Sequence, residues 1–165
     1  YAQNINIDEV RIQGAEVAGR WGISESFSLR ANYTYTDSEQ LSGTQQGLPL
    51  TNTAKHMANA TLNWQASEAF SMQFITEARS KRYRDMLNGV RRDYEDYTVF
   101  HLGAQYRFSD HVSVNARINN LLDEDFTTFQ TVWTQTGGVY APTYLDDFNN
   151  KDKSRNLWLS LNVSF

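Results

Sequence analysis

The chain has 165 residues, a formal net charge of −4, no cysteine and only two prolines. Without cysteine there is neither a disulfide framework nor a thiolate metal site, and the dispersed Lys and Arg argue against duplex nucleic acid, which needs a concentrated basic face. No run of about 18 apolar residues is present, so no transmembrane helix is expected, yet aromatics reach 13% at a mean hydropathy of −0.60. No basic-then-apolar leader opens the chain, so any export signal is expected outside it.

Apolar and polar residues alternate with period two in successive segments. The first is weak: Ala15, Val17, Gly19, Trp21 and Ile23 against Glu16, Ala18 and Arg20. Phe27, Leu29, Ala31, Tyr33 and Tyr35 form the second series, and Ala58, Ala60, Leu62 and Trp64 the third. Phe70, Met72, Phe74, Thr76 and Ala78 follow, then Phe100, Leu102, Ala104, Tyr106 and Phe108. Val112, Val114, Ala116 and Ile118 come next, and Leu157, Leu159, Leu161, Val163 and Phe165 close the chain. Strict alternation means strands with one apolar and one polar face.

A soluble antiparallel sheet would also alternate. Three details favour a membrane. The runs last about nine to eleven residues, the length a tilted strand needs to cross a bilayer. Aromatics such as Trp21, Phe27, Trp64, Phe70 and Phe108 sit near the ends of the series, at headgroup level. Connections alternate between short (24–26, 66–69, 109–110) and long (37–54, 79–96, 124–154), as periplasmic turns and extracellular loops do. The expected fold is all-β: a transmembrane antiparallel β-barrel of which this chain supplies the C-terminal seven strands. Seven is odd, and an open edge cannot face lipid, so further strands are expected outside the chain. The start at Tyr1-Ala2-Gln3-Asn4 fits a truncation in an outer loop.

The run from Val114 through Asn119-Asn120-Leu121-Leu122-Asp123 to Phe126 resembles the penultimate-strand signature of TonB-dependent outer-membrane receptors. Arg11-Ile12-Gln13-Gly14-Ala15-Glu16 resembles that family's Gly-x-Glu strand opening. Leu50-Thr51-Asn52-Thr53-Ala54-Lys55-His56 resembles its Pro-Asn-Thr-Pro-Lys-His segment, with Leu50 and Ala54 in place of the prolines. Leu161, Val163 and Phe165 resemble the C-terminal signal read by the barrel assembly machinery. The resemblance implies a bacterial outer-membrane barrel of about 22 strands with a plugged lumen, residues 1–165 being its C-terminal part. The plug, and the segment that engages a TonB-type energy-coupling protein, would be N-terminal to it. Members import ferric siderophores, haem, cobalamin or some carbohydrates. The segment 79–98, with its Arg-Ser-Lys-Arg-Tyr-Arg run, most resembles catecholate-siderophore receptors.

The candidate ligand-binding residues lie in long connections. Arg79, Lys81, Arg82, Arg84, Arg91 and Arg92 form a basic rim that would attract an anionic ferric chelate and stack on its aromatic rings. The competing readings are lipopolysaccharide phosphate binding, or neutralisation by Asp85, Asp93, Glu95 and Asp96. Trp133, Tyr140, Tyr144 and Phe148 offer loop aromatics for ligand contact, with packing of the loop on itself as the alternative. His56, His101 and His111 fall on three strands without ligand spacing, and Asp123-Glu124-Asp125 reads as a solvated strand end, so no metal site is expected. No Ser/His/Asp set or phosphate loop stands out, so no catalytic residue and no enzyme is expected. No cofactor is expected either, the ligand being an iron–siderophore complex. Gly43 and Gly47 read as turn residues.

Asn88-Gly89 predicts a two-residue type I′ hairpin. It places Leu87 opposite Val90, Asp85 opposite Arg92, Arg84 opposite Asp93, Tyr83 opposite Tyr94, Arg82 opposite Glu95 and Lys81 opposite Asp96. This register faces even numbers with odd ones, whereas Phe74 and Ala78 must share a face with Phe100 and Leu102. A β-bulge near 79–81 or 96–98 is therefore expected. In that register Arg79 and Arg91 lack acidic partners and are the leading ligand contacts. The function expected is energy-coupled import of a ferric siderophore or similar iron chelate; the alternatives are a passive porin-like channel and a non-transporting adhesin or structural barrel.

Overall fold

The computed structural model describes residues 9–126, 129–146 and 154–165. The seven alternating segments are all strands: β1 (Val10–Gly22), β2 (Phe27–Gln40), β3 (His56–Gln65), β4 (Phe70–Arg79), β7 (Tyr97–Arg107), β8 (Val112–Asn119) and β11 (Asn156–Val163). They form one antiparallel sheet in the order β1-β2-β3-β4-β7-β8-β11. Two ribbons rise from it: β5 (Arg82–Leu87) with β6 (Val90–Tyr94), and β9 (Phe129–Thr136) with β10 (Val139–Asp146). The second ribbon falls in a connection with no predicted strands.

The registers fix the faces. Tyr33 faces Ala58, Leu62 faces Phe74, Phe74 faces Leu102, and Leu157 faces Ile118, so each apolar series lies on one side of the sheet. Large apolar groups on that side stay uncovered by protein, Leu157 at 74% and Leu159 at 70% exposure, which is tolerable only against lipid. Near the short turns, aromatic rings form a continuous belt. Phe27 stacks on Trp64 (5.7 Å), Trp64 meets Phe70 edge-on (6.4 Å), Phe70 meets Tyr106 (6.4 Å), and Tyr106 meets Phe108 (4.7 Å).

One chemistry closes all three short turns. Ser24 Oγ accepts from the N–H groups of Ser26 and Phe27, and Ser67 Oγ from those of Ala69 and Phe70. Ser109 Oγ accepts from His111 N–H. Each serine's own N–H donates across the turn, to Phe27, Phe70 and Val112 respectively. The shared pattern, serine followed by a carboxylate, is a side-chain-closed turn that outcompetes strand continuation.

β1 and β2 run 13 and 14 residues, beyond a bilayer crossing. Above it Arg11 pairs with Glu39, and Gln13 donates to Asp37 (3.5 Å). Gly14 leaves room for the neighbouring strand's backbone: a Cβ there would stand 2.2 Å from the Tyr35 carbonyl oxygen. That is a physical reason for the glycine of the Gly-x-Glu segment.

The Asn-Asn-Leu-Leu-Asp run also has a structural job. Asn120, 2% exposed and at φ +48°, ends β8. Its Oδ1 accepts from Glu124 N–H and its Nδ2 donates to the Glu124 carbonyl, both at 2.9 Å. Asp123 then accepts from Arg155 N–H (2.8 Å), tying the turn to the start of β11. Asp123 is thus a clasp, where the sequence suggested only a solvated end.

A single sheet has no interior, so burial is confined to one end of the wall. The described residues that are buried sit at the end with the long connections: Gln40, Ala54, Arg82, Tyr83, Arg84, Tyr94, Val99 and Asn120. There the first long loop packs against the β5–β6 ribbon.

Candidate functional site at the loop end of the wall

The ribbon begins as its turn residues dictate. Asn88 and Gly89 take φ +51° and +76°, the type I′ geometry, and Leu87 faces Val90 while Asp85 faces Arg92. A bulge is present, but within the ribbon and not below it: the register shifts between Tyr83 and Asp85, leaving Arg84 as the extra residue. Tyr83 consequently faces Asp93 and Arg82 faces Tyr94, one step from the expected pairing, and Lys81 pairs with Glu95 (3.1 Å) instead of Asp96. The shift restores the parity of the β4–β7 ladder, where Arg79 faces Tyr97.

The first long loop explains the location of the bulge. Asn52, at φ +60°, donates its N–H to the Tyr83 carbonyl (2.8 Å), and Thr51 Oγ1 donates to the Arg84 carbonyl (3.3 Å). Ala54 bridges to Arg82, and Tyr83 Oη donates to Gln45 (3.1 Å). A bulge at 84 therefore has its irregular carbonyls satisfied from a neighbouring segment, which local pairing rules could not reveal.

The arginines gather around tyrosines. Arg82 donates to Asn52 Oδ1 (3.2 Å) and lies over the rings of Tyr94 and Tyr97, at 5.4 and 5.7 Å. Arg84 lies 5.8 Å over Tyr94 and 3.8 Å from Asp85. Tyr97 donates to Glu77 (2.7 Å) and stacks on Phe126 (4.5 Å), while Glu77 also holds Arg79 (3.2 Å). Burial lowers the Arg82 pKa, and the nearby Arg79 charge lowers it further against the pull of the Tyr97 and Tyr94 hydroxyls. Burial likewise raises the Tyr83 hydroxyl, helped by Asp85. At Lys81 the hydrogen bond to Glu95 raises the ammonium pKa.

Arg79 and Arg91 do not lack acidic partners. Arg79 pairs with Glu77, and Arg91 with Asp93 (2.8 Å) while lying over Tyr83 (5.5 Å). Both are contacts two residues apart on one strand, outside the cross-strand pairs considered from sequence. Arg92 pairs with Asp85 as expected. Accessibility divides the group. Arg82 and Arg84 are buried and fasten the ribbon, whereas Lys81, Arg91 and Arg79 present partly exposed charge. A cleft between the ribbon and the first loop is bordered by Lys55, His56, Lys81, Tyr83, Arg91 and Asp96.

Trp133 and Tyr140 belong to the second ribbon, both 65% exposed. Trp133 faces Pro142 and Tyr140 faces Gln135, so the two aromatics share one face. Gly137-Gly138, at φ +61° and +86°, turns this hairpin; a Gly-Gly pair is itself a type I′ signal and could have located it. Tyr144 lies in β10 with its side chain outside the described residues, and Phe148 lies outside them altogether. Among the histidines, His56 Nδ1 bonds Tyr33 Oη (2.7 Å) and His101 Nδ1 accepts from Asn120 N–H (3.2 Å).

Residues 1–121 match the family model described as TonB dependent receptor-like, beta-barrel. The chain belongs to that family. The "Iron-regulated outer membrane virulence protein" of Vibrio cholerae serotype O1 is 30% identical over 163 residues, covering 98% of this chain and 22% of that protein. The "Ferric enterobactin receptor" of Pseudomonas aeruginosa is 25% identical, over 97% of this chain and 22% of that protein. The "Ferric-Catecholate import receptor Fiu" of E. coli K12, in its closed form, superposes with a TM-score of 0.70 at 19% identity, over 94% of this chain and 21% of that one. The chain thus spans about a fifth of the length of the relatives it matches. As a TonB-dependent receptor barrel it resides in the bacterial outer membrane, with its apolar face to lipid and its loop end outside the cell.

Proposed function

We propose that residues 1–165 form the C-terminal part of the barrel of an energy-coupled receptor that imports a ferric siderophore. A TonB-type protein would supply the energy through a segment N-terminal to this chain. The observation that carries the reading is the extracellular cleft between the ribbon and the first long loop, where Lys55, Lys81 and Arg91 hold accessible positive charge. Accessible ammonium and guanidinium groups suit an anionic chelate, and a guanidinium plane also stacks on aromatic ligands. The names of two relatives point the same way: one is an iron-regulated outer membrane protein and another a ferric enterobactin receptor.

The test is growth of a deletion strain in iron-limited medium on a panel of ferric catecholate, hydroxamate and carboxylate chelates. Loss of growth on one class, restored by the wild-type gene, is the expected result. Equal growth of deletion and wild-type strains on every chelate would overturn the reading.

A further inference from the structure

The bulge in the β5–β6 ribbon decides which side chains share a face. In the straight ladder that the Asn88-Gly89 turn sets, Tyr83 would stand opposite Tyr94, on the side of Arg92 and away from Arg91. Because Arg84 is the extra residue, Tyr83 faces Asp93 instead and turns to the side of Arg91 and Asp93. Re-aiming a side chain is what a bulge achieves at the cost of a disrupted ladder. The first long loop holds this one in place, since Asn52 N–H reaches the Tyr83 carbonyl and Thr51 Oγ1 the Arg84 carbonyl.

Once turned, the Tyr83 ring is fixed. It is fully buried, and its hydroxyl donates to Gln45 Oε1 (3.1 Å), which also accepts from Gln40 Nε2 (3.4 Å). Gln40 is buried too and donates to the Pro49 carbonyl (2.9 Å), so the tether ends in the packed base of the loop. The Arg91 guanidinium lies over the Tyr83 ring at 5.5 Å, and Asp93 grips its Nε edge, with Oδ1 at 2.9 Å. A free arginine side chain samples many rotamers and must be ordered before it can bind. With one face on Tyr83 and one edge on Asp93, Arg91 is ordered in advance, yet its side chain stays partly exposed at the border of the cleft.

We propose that Tyr83 is a positioning residue of the extracellular site: the bulge at Arg84 turns its ring under Arg91, and the first long loop locks it there, so that Arg91 meets the ligand already ordered. The inference rests on the reading of the cleft as the ligand site and adds the buried group that prepares it. Ordering a contact in advance strengthens binding without adding a contact. The bulge gains a purpose as well, because a straight ladder would leave Arg91 without the Tyr83 ring.

The experiment measures equilibrium binding of ferric catecholate, hydroxamate and carboxylate chelates to the full-length receptor. Wild type is compared with Tyr83→Phe, Tyr83→Leu, Arg91→Ala and the double variant Tyr83→Leu/Arg91→Ala, and melting temperatures are recorded alongside; Tyr83→Met replaces Tyr83→Leu in the same cycle if the latter is not inserted. For a chelate that wild type binds, Tyr83→Leu should bind about tenfold more weakly. Tyr83→Phe keeps the ring under Arg91 and should keep most of the affinity. With Arg91→Ala in place, Tyr83→Leu should cost nothing further in binding, even where the melting temperature falls. A loss from Tyr83→Leu as large in the Arg91→Ala background as in wild type would overturn the proposal in favour of a purely structural tyrosine. Wild-type affinity in Tyr83→Leu or in Arg91→Ala, or equal losses in the Phe and Leu variants, would also overturn it while leaving the transport reading intact. A wild type that binds none of the three chelates would remove the ferric-siderophore reading, and this inference with it.

Discussion

The Arg82 guanidinium lies 5.4 Å above the Tyr94 ring inside a contact that leaves both residues about 8% exposed. A desolvated cation over an aromatic face contributes up to about 2 kcal/mol. Arg84 shares the ring, so Tyr94→Leu removes two such contacts at once while keeping an apolar side chain. The expected outcome is a ribbon that opens more readily: faster hydrogen exchange across β5 and β6, with the β4 and β7 amides unchanged. Arg82→Lys should behave similarly, because an ammonium cannot both stack and reach Asn52. Unchanged exchange in both variants would show that the first loop alone holds the ribbon.

The face assignment is tested within one strand. Leu102 pairs with Phe74 and Ile118 on the lipid side, and Gln105 with Ser71 and Asn115 on the lumen side. Leu102→Arg places a charge near mid-strand in hydrocarbon and should cost about 2–4 kcal/mol; Gln105→Arg should cost well under half of that. Urea unfolding of the full-length receptor in lipid vesicles measures both. Equal losses would contradict the orientation of the sheet.

Gly14→Ala should strain the β1–β2 ladder, because the new methyl would meet the Tyr35 carbonyl, which is backbone and cannot swing aside. We expect a lowered melting temperature, and proteolysis confined to the upper part of β1 and β2. Gly103→Ala is the control. A Cβ there meets nothing nearer than Gln73 Cβ at 3.9 Å, so stability should hold. Equal effects would show that the loss at Gly14 is not steric.

The seven wall strands and their faces were legible from period-two alternation, since each residue in a single sheet meets either lipid or lumen. The existence of a bulge was legible too, from the clash between the Asn88-Gly89 register and the parity of Phe74 and Phe100. Its site was not, because Thr51 and Asn52 fix it from more than thirty residues away. The same limit applies to Arg79 and Arg91, whose partners Glu77 and Asp93 are two residues off along the strand. Strand pairing in sequence draws attention across the ladder, whereas long side chains also reach along it. The β9–β10 hairpin carried its signal openly in Gly137-Gly138, between runs too polar to read as wall.

Asn120 provides a test of the turn that ends β8. Its side chain closes on Glu124 through both N–H and C=O, its N–H reaches His101, and its backbone is left-handed. Asn120→Ala loses both side-chain bonds and keeps a Cβ in a conformation costing about 1–2 kcal/mol. Asn120→Gly loses the same bonds without that strain. The Ala variant should therefore be less stable than the Gly variant by about 1 kcal/mol, with both below wild type. Asn120→Asp can still accept from Glu124 N–H, but an ionised carboxylate cannot donate to the Glu124 carbonyl and instead faces it. Its stability should rise relative to wild type as falling pH protonates the new acid and restores a donor. Urea midpoints for the four proteins at neutral and mildly acidic pH measure all of this. Identical midpoints for Ala and Gly would remove backbone strain as a cause, and a pH-independent gap between Asp and wild type would remove the donor to Glu124.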